Sequence, residues 1–211
     1  MRNRRSVLAG TLCAALLIAP PGTAGGGLLG LDHLVPLDDH GIWARKNQLL
    51  LIDSMLAGEL AVAVWDGGDT RLGRTMWKSI DATLLGALTA EGLKLTFSRA
   101  RPSQTSDPDQ WFQGSGHESF PSGEVTVTSA IITPLLLEYR HEHPAVYALE
   151  LLPLYDAVAR VKVHAHWQSD VLAGYLLGTA AGYFMERRTR TPLVLSVMPH
   201  CIYVGLRAQF N

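Results

Sequence analysis

Apolar residues recur at helical spacing from about Ile42 to Trp65, stop at Asp66-Gly67-Gly68-Asp69, and resume from about Leu72 to Phe97. Asp81, Glu91 and Lys94 interrupt the apolar content of that second stretch. The periodicity then fails from Ser98 to Ser122, where Pro102, Pro108, Gly114, Gly116 and Pro121 mark a long irregular loop. A loop of that length inside a compact domain usually carries function. Helical spacing returns from about Gly123 to Tyr139, from His143 to Val161 with a break expected near Pro153, and from His166 to Arg187. Alternation in Leu193-Val194-Leu195-Ser196-Val197 and Ile202-Tyr203-Val204-Gly205-Leu206 predicts a short terminal hairpin. The expectation is an all-α helical bundle with a short C-terminal β-hairpin and no internal repeat.

Membrane crossing is the rival explanation for such helices. The longest uncharged run, Val171 to Met185, has 15 residues and contains Gly174, Gly178, Thr179 and Gly182, short of the ~20 apolar residues a span needs. With a mean hydropathy of only +0.12, a soluble bundle whose small residues permit close helix packing is the preferred reading. An integral inner-membrane protein is the alternative.

The amino terminus has its own logic. Arg2, Arg4 and Arg5 precede an apolar stretch from Val7 to Ala19 and the small residues of Pro20-Pro21-Gly22-Thr23-Ala24, the layout of a signal peptide ending at Ala24. Export, most simply to the periplasm, is therefore expected, with residues 25–40 as a flexible lead-in, 41–190 as the helical domain and 191–211 as the hairpin or tail. Removal of the leader takes Cys13 with it, so Cys201 stands alone and no internal disulfide is expected. It also takes the formal charge from −1 to −4. Against a mildly acidic surface, Lys94, Arg99, Arg101, Arg160 and Lys162 form a local cationic set suited to an anionic substrate rather than to nucleic acid.

A phosphate monoester needs donors for its non-bridging oxygens, an in-line nucleophile and an acid for the leaving oxygen. Arg101 and Arg160 offer planar forks, Lys94 a point charge, and Ser122 with the Gly123 amide offers donors at a helix amino terminus. His166 and Asp170 are four apart. On a helix they would share a face, with the carboxylate accepting from one ring nitrogen and the other left free to attack. His164 would project elsewhere and is read as structural. Singly, each of these residues has an ordinary explanation as a surface ion pair, a satisfied polar group or a helix cap.

Together, Lys94-x6-Arg101-Pro102, Pro121-Ser122-Gly123 and Arg160-x5-His166-x3-Asp170 resemble, in order, the three motifs of the type 2 phosphatidic acid phosphatase superfamily. That superfamily includes bacterial nonspecific acid phosphatases and vanadium haloperoxidases. The resemblance covers roughly Thr70 to Tyr183. It implies an all-α bundle and metal-independent hydrolysis without a cofactor, with Lys94, Arg101, Ser122, Gly123 and Arg160 holding phosphate. It further implies a phospho-histidine at His166 and orientation of that ring by Asp170. Two positions depart from the pattern. Ala159 replaces the serine before the motif arginine, and Glu124 replaces the histidine that serves the family as general acid. A helix amino terminus and nearby cations should keep Glu124 ionised. Glu124, His117 in the upstream loop, or water with no dedicated acid therefore remain alternatives for the proton.

The expected activity is hydrolysis of a phosphomonoester, either a membrane lipid phosphate or a small soluble ester. Membrane-surface association and homo-oligomerisation are compatible with it. Two rivals stand beside it: a haloperoxidase holding vanadate in the same pocket, and a non-catalytic anion- or lipid-headgroup-binding module. Trp111 and Trp167 are close enough in sequence to the motifs to line the pocket mouth. No Cys/His cluster has zinc-ligand spacing, and Asp107 and Asp109 read as solvated loop charges.

Overall fold

A computed structural model describes residues 26–188 and the backbone of two strands, Leu193–Met198 and Cys201–Leu206. The expected leader lies outside the described residues. Five helices form the bundle: α1 (Arg45–Asp66), α2 (Arg71–Phe97), α3 (Gly123–Tyr139), α4 (Leu151–Lys162) and α5 (Gln168–Glu186). The strands β1 (Leu193–Met198) and β2 (Cys201–Leu206) pair antiparallel, Leu193 opposite Leu206 and Met198 opposite Cys201. The all-α class expected from the spacing holds.

The helix ends follow from local chemistry. Thr70 caps α2 by accepting from the Gly73 amide at 2.9 Å, and α1 ends at Gly67, whose φ of 63° suits a residue without a Cβ. The break expected near Pro153 falls instead between a 3₁₀ turn, Pro144–Glu150, and α4. Pro153 lies in the first turn of α4, where its missing amide costs no helical hydrogen bond.

The bundle centre is α3 packed between α2 and α5, with α3 and α5 in the most extensive contact. Small residues make this possible. A Cβ on Gly174 would lie 2.4 Å from the Ser122 carbonyl oxygen, one on Gly178 2.1 Å from that of Thr126, and one on Gly182 2.5 Å from Thr133 Cβ. Ala82, Ala130, Ala181 and Met185 fill the core where the three helices meet, while Thr126 and Thr133 return their hydroxyls to carbonyls one turn back at 2.8 Å. The consequence for function is placement: α5 fixes the amino terminus of α3, and with it Ser122 and Gly123.

Residues 26–40, expected as a flexible lead-in, are tied to the bundle. Asp32 is 1% exposed and accepts from the Ser169 amide at 2.8 Å. His33 exchanges hydrogen bonds with the Gln168 side chain, the Asp38 amide donates to the Lys162 carbonyl, and His164 Nε2 donates to the Val35 carbonyl at 2.7 Å. Polar residues in a turn-rich stretch hid this from pattern reading, because what fixes the segment is pairing with residues more than a hundred positions away.

The outer faces of α1, α2 and α5 are unusually apolar. Leu50, Leu60 and Trp65 on α1, Leu88 and Leu95 on α2, and Leu176 on α5 are all more than half exposed. Helix α1 is long and apolar enough to cross a membrane by length and composition, although Asp53 and Glu59 keep it from being an uncharged run.

Candidate active site

The site assembles where the 98–122 loop, the amino terminus of α3 and the α4–α5 corner meet. His166 lies between α4 and α5, before the first residue of α5 and not on its face. It is 3% exposed. Its Nδ1 lies 2.7 Å from the Ser119 carbonyl oxygen, and since a carbonyl only accepts, Nδ1 carries the hydrogen. Burial pushes the ring well below its ordinary pKa, and the charges of Arg160, Arg101 and Lys94 push it further. A neutral ring with its hydrogen on Nδ1 leaves Nε2 with a lone pair.

Asp170 does not take the hydrogen bond expected of it. Its Oδ2 is 3.9 Å from His166 Nδ1, beyond hydrogen-bond range. It is the third residue of α5 and accepts from the Trp167 amide at 2.9 Å, closing the first turn. It also accepts from Ser119 Oγ at 2.5 Å and from Arg99 at 2.6 Å. Orientation therefore passes through Ser119, whose hydroxyl binds Asp170 while its carbonyl holds His166. Burial pushes the Asp170 carboxyl up to about 6, with the Arg99 charge the chief influence keeping it from going higher.

Arg99 is the hub under this arrangement. Fully buried, it bridges Asp32 and Asp170 at 2.6 Å each, donates to Ser169 Oγ and the Pro108 carbonyl, and lies under the Trp111 ring, 4.3 Å from its centroid. Trp167 is 1% exposed and donates from Nε1 to the Ala100 carbonyl. Trp111 and Trp167 thus enclose Arg99, and Trp167 is too deeply buried to line a pocket mouth.

Of the expected phosphate ligands, Arg160, Arg101 and Lys94 lie close enough to the imidazole for their charges to act on it. The Lys94 ammonium lies against the first turn of α3, 3.0 Å from where a Cβ on Gly123 would be. Arg160 donates to Gln48 Oε1 at 3.1 Å, leaving its Nε buried and unpartnered, as is Ser122 Oγ. Arg101 reaches the loop through the Glu118 carbonyl at 3.4 Å. Unpaired buried donors beside a helix amino terminus are what an oxyanion would satisfy. His117 Nδ1 is likewise buried without a partner, and no hydrogen bond or ion pair joins it to Glu124 or His166 among the described residues.

Glu124 occupies the position of the missing acid. Both its oxygens accept from Arg45 at 2.7 Å, and Arg160 lies 3.7 Å away. Burial pushes the Glu124 carboxyl up, but the Arg45 hydrogen bonds and the charges of Arg160, Arg45 and Lys94 outweigh it, so the group is held below its ordinary value. Arg45 and Gln48 on α1 and Asp156 on α4 complete this side of the site. Motif reading missed all three, although Asp156 stands four residues before Arg160 and so on the same helical face.

Three cations and a helix amino terminus stand near a neutral imidazole inside a helical bundle, an arrangement suited to an oxyanion. The chain belongs to the PAP2 superfamily, whose family model matches residues 76–191, just over half of its length. No curated protein sequence matches it. Among solved structures it is similar to LpxE of Aquifex aeolicus, at 15% identity over 73% of this chain and the whole of that one, with a TM-score of 0.39.

Proposed function

We propose that the chain hydrolyses phosphate monoesters through a covalent intermediate on His166, and that the ester is carried by a lipid. The observation that supports this most directly is the His166 ring itself, held neutral with Nε2 available beside Lys94, Arg101 and Arg160. Nε2 attacks phosphorus, the bond to the leaving oxygen breaks, and Arg101, Arg160, Lys94, Ser122 Oγ and the Gly123 amide hold the non-bridging oxygens. Water then attacks the phospho-histidine, which releases inorganic phosphate and returns the ring. The apolar outer faces of α1 and α2 favour a lipid-borne ester, because such a surface has a natural neighbour in a bilayer.

The test compares phosphate release from p-nitrophenyl phosphate, a short alkyl phosphate and phosphatidate in mixed micelles, with His166→Ala alongside. Release that His166→Ala abolishes, an acid-labile phosphoenzyme in the parent, and preference for the micellar ester are expected. Release surviving His166→Ala overturns the histidine intermediate. Equal use of all three esters overturns the lipid assignment. Phosphate binding without any release points to a non-catalytic headgroup-binding module.

A further inference from the structure

Two carboxyl groups stand beside the phosphate-binding cations, and the hydrolytic scheme leaves both without a defined task. Asp156 is 1% exposed on α4, one turn before Arg160, and neither of its oxygens has a hydrogen-bond partner. Leaving an ionised carboxylate buried in that state is strongly unfavourable, whereas a neutral carboxyl asks only for an acceptor for its one hydrogen. The charged groups that act on it come from every side: Glu124 on α3, Arg45 on α1, and Arg160 on its own helix, with the Tyr155 hydroxyl adjacent in sequence. Burial, then the Glu124 charge, pushes the Asp156 carboxyl up to about 7 against the pull of Arg160 and Arg45.

Glu124 is its opposite, gripped by both nitrogens of Arg45 and ionised. In that form it has no proton for a leaving oxygen. The site thus holds an acid without access and a carboxylate with access but no hydrogen.

We infer that Asp156 is the proton store of the site, a buried neutral carboxyl that passes its hydrogen to Glu124 when a phosphate dianion enters among Lys94, Arg101 and Arg160. This rests on the phosphatase reading. The arriving dianion competes for the cations that hold Glu124 ionised, so Glu124 becomes the better base of the two and takes the proton, directly or through one water. The leaving oxygen then takes the hydrogen from Glu124 as its bond to phosphorus breaks and the bond to His166 Nε2 forms. In the second half, water gives one hydrogen to the Glu124 carboxylate as its oxygen bonds to phosphorus and the bond from phosphorus to His166 Nε2 breaks, the electron pair returning to the ring, and that hydrogen returns to Asp156. Asp156 acts through Glu124 and is a positioning residue.

The test is Asp156→Asn, which keeps the shape and removes the store, assayed on an alkyl and an aryl phosphate. General acid assistance matters most for a poor leaving group, so kcat/KM for the alkyl ester should fall about 100-fold while the p-nitrophenyl ester changes less than about 3-fold. Glu124→Gln should reproduce that split, and the double variant should be no worse than either single one. Infrared difference spectra of the unsubstituted chain, with and without inorganic phosphate, should show one carboxylic-acid band replaced by another. Equal losses on both esters, losses that add in the double variant, or a phosphate difference spectrum without carboxylic-acid bands would overturn the proton store. If the parent releases no phosphate from either ester, the phosphatase reading falls by itself. The infrared bands then decide alone whether Asp156 carries the proton.

Discussion

Replacing Arg99 with Met tests whether one buried guanidinium couples the amino-terminal segment to His166. Arg99, Asp32 and Asp170 have no exposed side-chain surface where they pair, at 2.6 Å on both sides. Arg99→Met keeps the volume and strands two carboxylates. Removing one partner of a buried ion pair costs about 3–5 kcal/mol, which for a chain of this size lowers Tm by about 6–20 °C. The pH dependence follows from the same loss. Arg99 is the strongest of the influences that lower Asp170, which burial already pushes up to about 6, so the variant's carboxyl must rise further. A folded-state pKa above the unfolded one gives stability that is complete at low pH and lost as pH rises through the folded value. The gap in Tm between parent and variant should therefore be smallest near about pH 5 and widen toward neutrality. Activity should fall with it, because a protonated Asp170 accepts less strongly from Ser119, whose carbonyl sets the His166 tautomer. Thermal unfolding by circular dichroism at several pH values reads the first effect and aryl-phosphate hydrolysis the second. A Tm within about 2 °C of the parent at neutral pH, below the shift worked out above, refutes the coupling.

Gly178→Ala places a Cβ 2.1 Å from the Thr126 carbonyl, so α5 must part from α3. A loss of about 1–3 kcal/mol is expected in urea unfolding, whereas Gly92→Ala, exposed with nothing within 4 Å of its new Cβ, should gain about 0.4–1 kcal/mol; equal effects would remove the packing argument. Because the His166 ring is held well below 6.5, kcat/KM for the aryl ester should stay flat as pH falls past that value, and an acid limb at the ordinary imidazole pKa would contradict a neutral nucleophile. Arg45→Gln removes the chief group holding Glu124 ionised, so the Glu124 carboxyl rises and alkyl-ester hydrolysis should persist to higher pH; an unchanged pH profile would deny Arg45 that role.

The difference between what the chain's pattern reveals and what it conceals lies in the range of the interactions. Helices α2, α3 and α5 are legible because apolar spacing and capping act within a few residues, and the ends at Phe97, Gly123 and Tyr139 coincide with a prolyl loop, a Ser-Gly junction and a charged stretch. The proposed phosphate-binding set is legible for another reason: its spacing is that of a superfamily, so positions far apart can be joined without knowing the path between them. Neither kind of signal reaches Asp32. It is one acidic residue in a glycine-rich stretch, and its burial is explained by Arg99, 67 positions on, and Ser169, 137 positions on. The His166–Asp170 relation fails for a similar reason. Spacing of four predicts a shared helical face, but α5 begins at Gln168, and a residue before a helix follows the loop that binds it, here through the Ser119 carbonyl.

The same distinction bears on the glutamate at position 124. Seen as a single departure from a motif, Glu124 removes an acid and leaves a gap in the chemistry. Its surroundings reach beyond the motifs, to Arg45 on α1, which grips it, to Gln48, which accepts from both Arg45 and Arg160, and to the Asp156 carboxyl on α4, and Arg45 and Gln48 precede the segment the family model matches. A carboxylate gripped by a partly exposed arginine, with a buried carboxyl nearby that has no hydrogen-bond partner, is an uneconomical way to build a scaffold, since apolar residues would fill the space without the desolvation cost. It makes physical sense if the pair trades a proton when phosphate arrives. The replacement of histidine is then one member of a group of four residues that must be changed together to be understood, and restoring histidine alone, Glu124→His, should not improve alkyl-ester hydrolysis. An imidazole set between Arg45 and Arg160 would be driven to its neutral form, with no proton to spare at neutral pH. A gain in kcat/KM on alkyl phosphate for Glu124→His without a change at Arg45 would show that position 124 acts by itself and that the surrounding group is scaffold.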